Sequence, residues 1–97
     1  MAIISSTAVL QDALSHHYAI GGFICYDMEM MQAVAHAAKA ENSHVLLQAS
    51  CRADDYAGAR FLRKIAEAAS EKYGMDYVLH LDHGDSVERC KNCSNEG

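Results

Sequence analysis

The sequence predicts an α/β fold built on parallel strands. Three short apolar runs (Ala19 to Cys25, Val45 to Ser50 and Tyr77 to Leu81) alternate with longer helix-forming stretches, the pattern of strands joined by crossover helices. Such crossovers are right-handed. They bring the strand ends Cys25, Ser50 and Asp82 to one common face, where α/β folds build their sites.

Ser5-Ser6-Thr7 supplies N-cap candidates for a first helix running to about His16, with Val9, Leu10, Ala13 and Leu14 on one face. The first strand, Ala19 to Cys25, is apolar throughout, which predicts burial on both faces. Asp27 is placed to cap a helix from Met28 to about Glu41, rich in Ala and Met and stopped by Asn42-Ser43. Val45 to Ser50 reads as a second buried strand. One helix is then expected from roughly Asp54 to Lys72, with Ala57, Phe61, Leu62, Ile65, Ala66 and Ala69 along one stripe and Gly74 as its stop. After the third strand, Asp85-Ser86-Val87-Glu88 has the spacing of a capping box with Asp85 as N-cap, opening a last helix.

Composition narrows the function classes. The 97 residues carry a formal net charge of -5 and no block of lysines or arginines, which argues against nucleic acid or an anionic membrane as the main partner. Met1 to Ser6 has neither a basic n-region nor a long apolar segment, so no signal peptide or membrane span is expected. With no targeting signal, Cys25, Cys51, Cys90 and Cys93 read as free thiols of a cytoplasmic protein. Three βα units leave a sheet with two bare edges, and a closed (β/α)8 barrel takes about 250 residues. Residues 1–97 are therefore expected to be the N-terminal part of a single longer domain.

Chemistry concentrates at Tyr77-Val78-Leu79-His80-Leu81-Asp82-His83-Gly84-Asp85. Residues two apart on a strand share a face, so His80 and Asp82 project together, with His83 at the rim where Gly84 lets the chain turn. A carboxylate beside an imidazole is the minimum set for metal-assisted proton transfer.

Several segments together resemble the class II, metal-dependent ketose-bisphosphate aldolases, of which fructose-1,6-bisphosphate aldolase is the commonest member. They are Tyr18-Ala19-Ile20-Gly21-Gly22-Phe23, Glu29 with Gln32-Ala33, Val45-Leu46-Leu47-Gln48-Ala49-Ser50 and, most specifically, His80-Leu81-Asp82-His83-Gly84. The resemblance implies a (β/α)8 TIM barrel, here represented by an N-terminal helix and about three βα units. It implies reversible cleavage of fructose 1,6-bisphosphate to dihydroxyacetone phosphate and glyceraldehyde 3-phosphate, with a Zn2+ cofactor and a homo-oligomer, dimer or larger. By position, Asp82 resembles the general acid/base on the C4 hydroxyl, His83 a zinc ligand, and Ser50 a serine near the substrate. The family often has asparagines after Phe23, where this chain has Ile24-Cys25-Tyr26-Asp27. Its remaining zinc ligands and phosphate loops fall in segments past the position of Gly97, so little activity is expected of these residues alone.

Two other readings stay open. Tagatose-bisphosphate aldolase is the nearest, because the segments that read hydroxyl stereochemistry are not in this stretch. The other is a non-catalytic zinc-binding module using His80, His83, Cys90 and Cys93, spaced H-x2-H-x6-C-x2-C. His16, His17, His36 and His44 fall at helix ends or on helical surface and are assigned no ligand role.

Overall fold

The computed structural model describes residues 2–97. In chain order the elements are α1 (Ser6–Ser15), β1 (Gly21–Ile24), α2 (Met28–Ala40), β2 (Val45–Ala49), α3 (Cys51–Ala57), α4 (Ala59–Tyr73), β3 (Val78–Leu81) and α5 (Val87–Asn95). The strands form one parallel sheet in the order β1-β2-β3, with Phe23 opposite Leu47 and Leu47 opposite Leu79. Among the described residues no helix is long and apolar enough to cross a membrane.

Capping residues set the helix starts. Ser5 accepts from the Thr7 amide to open α1, and Asp27 Oδ1 accepts from the Met30 amide at 2.8 Å to open α2, each satisfying a donor that lacks an intrahelical partner. The final helix departs from expectation. Ser86, not Asp85, is its N-cap, taking the Arg89 amide at 3.0 Å, because Asp85 turns its carboxylate onto the Arg89 guanidinium instead.

The expected single helix after β2 is two helices. Gly58, at φ 87 and ψ 140, donates its amide to Asp54 O at 2.8 Å and breaks the run, a backbone geometry that a side chain resists. Beyond it, α4 lays Leu62, Ala66 and Ala69 into the core while Phe61 stays out.

Burial on β2 is one-sided and β1 is exposed, which corrects the expectation of strands buried on both faces, while β3 buries Val78 on the face opposite the β2 core residues. Val45, Leu47 and Ala49 of β2 pack with Met31, Ala35 and Ala38 of α2 and the inner face of α4, each large apolar side chain contributing about 1.5–3 kcal/mol. Tyr77 joins the same core and donates its hydroxyl to Ala35 O at 2.9 Å. Leu46 and Gln48 point to the opposite face and stay partly exposed, as strand alternation requires. Because β1 pairs only with β2, it is an edge strand exposed at every position. The α1 stripe is half used: Val9 and Ala13 are buried, whereas Leu14 is 79% exposed.

Candidate functional site

The strand-end register builds the site. Gln48 stands opposite His80 and Ala49 opposite Leu81. The Asp82 amide then donates to Ala49 O at 2.8 Å, extending the ladder one bond past β3 and holding Asp82 beside the start of α3. There the chain reverses. His83 and Gly84 take consecutive left-handed conformations, at φ 70 and φ 56, and the Gly84 amide returns to Asp82 O at 3.0 Å. For an imidazole-bearing residue this conformation costs about 1–2 kcal/mol. Gly84 is required twice over, since a Cβ there would lie 2.9 Å from Cys90 Sγ in a backbone region that already disfavours side chains.

This turn presents the two expected site residues together. His83 Nε2 lies 3.6 Å from Asp82 Oδ2; the imidazole is 86% exposed and the carboxylate 26%. The separation exceeds a hydrogen bond, so the ring keeps its nitrogens for another partner. His80, one step back on the open face of the sheet, holds the Gln48 amide nitrogen at 3.2 Å through Nδ1. Ser50 closes the neighbouring strand. Its hydroxyl oxygen accepts from the Ala53 amide at 3.2 Å and caps α3, leaving the hydroxyl proton to donate elsewhere.

One residue that sequence reasoning left unassigned ties these parts together. Arg89 contacts Asp85, Asp54 and Asp55. These carboxylates, Asp85 first, push the guanidinium further toward its charged form, and Arg89 in turn holds Asp85 below the usual carboxylate range. The i,i+4 spacing of Asp85 and Arg89 was visible in the sequence. The partnership with α3 was not.

The donor set does not make a zinc site by itself. Zinc takes three or four protein ligands, and among the described residues no three His, Cys, Asp or Glu side chains are grouped to hold a metal. The His80, His83, Cys90 and Cys93 set is likewise not assembled, which corrects the zinc-module reading. His80, Cys90 and Cys93 border one cavity of about 470 Å3, but His80 is tied to Gln48 and Cys90 sits over Gly84. Burial, with Asp54 next, pushes the Cys93 thiol up.

The sequence model of the family "Fructose-bisphosphate aldolase class-II" matches residues 4–97. A 6-phospho-5-dehydro-2-deoxy-D-gluconate aldolase from Bacillus licheniformis is 40% identical over all of this chain and 34% of its own length. A fructose-bisphosphate aldolase from Treponema pallidum is 36% identical over all of this chain and 31% of its own. The crystal structure of the YdjI aldolase from Escherichia coli K12 superposes with a TM-score of 0.86 and 26% identity, covering all of this chain and 38% of that one. The chain thus spans about a third of the length of the curated relatives it matches.

Proposed function

This chain belongs to the class II fructose-bisphosphate aldolase family, and on that premise we propose that it carries the proton-transferring corner of a retro-aldol site for a phosphorylated ketose, fructose 1,6-bisphosphate first. The observation that carries the reading is the Asp82–His83 turn: a carboxylate anchored through its backbone amide to Ala49 O at 2.8 Å, beside an open imidazole 3.6 Å away.

In this reading Asp82 removes the proton of the C4 hydroxyl. The C3–C4 bond breaks, its electron pair passes into the enediolate, and the C4 oxygen becomes the aldehyde of glyceraldehyde 3-phosphate. Protonation of the enediolate at C3 completes dihydroxyacetone phosphate. A free carboxylate is a weak base in water, so the work falls to placement, which the Ala49 bond supplies. Ser50, with its hydroxyl proton at the adjacent strand end, contacts the substrate. His83 contributes one donor toward zinc, with further donors from outside these residues; a bound zinc ion supplies Lewis acidity for the developing negative charge. Family membership supports placing residues 1–97 as the N-terminal part of a single (β/α)8 barrel, in a cytoplasmic enzyme that works as a dimer or larger.

A second reading concerns the substrate alone. The 40% identity to a 6-phospho-5-dehydro-2-deoxy-D-gluconate aldolase favours that sugar acid phosphate as the competing substrate. The test joins this chain to the complete C-terminal portion of a relative and measures cleavage of both compounds and of tagatose 1,6-bisphosphate. Asp82→Ala is expected to lower turnover by about 10^2–10^4, the range for general acid–base catalysis. An active joined enzyme with undiminished Asp82→Ala would falsify the assignment. The 97-residue chain assayed alone is expected to show little or no turnover, zinc added or not.

A further inference from the structure

The two loops that carry the candidate site are joined at one backbone point. The Asp82 amide reaches Ala49 O; beyond it, among the described residues, no backbone hydrogen bond links the chain after Ser50 to the chain after Asp82. A side chain makes the link. Arg89 Nε and Nη2 bind the two oxygens of Asp85 at 2.7 and 3.2 Å, while Nη1 reaches Asp54 Oδ2 at 2.7 Å, Asp55 Oδ1 at 3.0 Å and Cys51 O at 3.4 Å. The guanidinium is mostly enclosed, 19% exposed.

We propose that Arg89 is a positioning residue that clamps the loop after β2 to the turn after β3, and so sets where Ser50 stands relative to Asp82 and His83; its importance for catalysis rests on the proposed reading of those residues. Asp85 is two residues beyond His83, on the same turn. Cys51 follows Ser50 directly, and the Asp54 amide donates to Ser50 O at 3.0 Å, so holding Asp54 holds the Ser50 backbone. Without the cation, three carboxylates from two loops would face each other and repel. The planar fork serves both loops at once, two nitrogens on Asp85 and the third on α3, a division that a lysine ammonium cannot copy. Arg89 is itself fixed by the Ser86 cap on its amide at 3.0 Å.

Amide hydrogen exchange on the 97-residue chain, read by NMR, tests the clamp without requiring turnover. Arg89→Lys is expected to speed exchange about tenfold at Ala53, Asp54 and Gly84, while Leu47 and Leu62 in the core keep their protection. Asp54→Asn weakens the α3 arm alone and should speed Ala53 and Asp54 but not Gly84. No change at these amides, or equal acceleration everywhere, overturns the proposal. In the joined enzyme, Arg89→Lys is expected to lower kcat about tenfold with KM within about twofold; unchanged kcat refutes the catalytic half. Should the exchange pattern appear while Asp82→Ala stays fully active, the clamp stands and the aldolase roles of these residues fall.

Discussion

Cys25 shows how one position at a strand end becomes sensitive to pH. It is fully buried beneath the sheet, and burial, with the Asp27 carboxylate second, pushes its thiol up to about 11. The folded state therefore keeps a proton that the unfolded chain gives up earlier. That contribution is whole below the unfolded thiol's value and is lost as pH rises through about 11. Urea unfolding of wild type and Cys25→Ala across this alkaline range should show the stability gap between them narrowing or reversing as pH rises. A gap independent of pH would show that Cys25 does not feel its burial. The Asp82–His83 pair is the other residue-scale feature, and its meaning lies in the turn: a side chain at Gly84 would be strained at φ 56 and would have to displace the Cys90 sulfur.

At the scale of elements, the interruption between α3 and α4 is the most informative feature. A continuous helix from Asp54 onward would satisfy the apolar stripe, yet the chain breaks at Gly58 and restarts. The break lets α3 stay at the mouth of the sheet, where Ser50 caps it and Arg89 holds it, while α4 packs on the core. No atom lies within 4 Å of where a Cβ at Gly58 would sit, so Gly58→Ala tests backbone conformation alone, free of clashes. It is expected to cost about 1–3 kcal/mol in chemical denaturation. An unchanged midpoint would mean that the left-handed geometry is not needed to separate the helices. The Ser86 cap carries the same lesson: Glu88 lies three residues after Asp85, but Ser86 satisfies the helix start because the Asp85 carboxylate is already paired with Arg89.

At the scale of the molecule, one face of the sheet carries the core and the other is covered only in part, at Val78, while the N-terminal segment pairs with Tyr77 at the start of β3 and β1 keeps its outer edge among the described residues. Phe23 and Ile24 of β1 are 47% and 38% exposed, side by side on the strand that pairs only with β2. Edges of this kind recruit other strands. The chain on its own is expected to associate as its concentration rises, seen by sedimentation velocity, and Ile24→Lys should shift it toward monomer. A wild-type chain that stays monomeric across a wide concentration range would contradict this. The chain spans about a third of the length of the curated relatives it matches.

Much of this molecule was legible in its residues because the relevant forces are local. Apolar periodicity and caps such as Asp27 act within a few positions, so the helix-then-βα order, the Met28 start and the stop at Gly74 could be read directly. The Asp82-His83-Gly84 turn was legible for the same reason: three neighbours settle it. Tertiary packing alone decided which strand residues are covered, that β1 lies at an edge, that Arg89 reaches Asp54 and Asp55, and that His80, His83, Cys90 and Cys93 do not converge. Those outcomes depend on how separate elements pack, as Arg89 of α5 does on Asp54 and Asp55 of α3, and sequence spacing carries no information about which distant side chain will fill a given space.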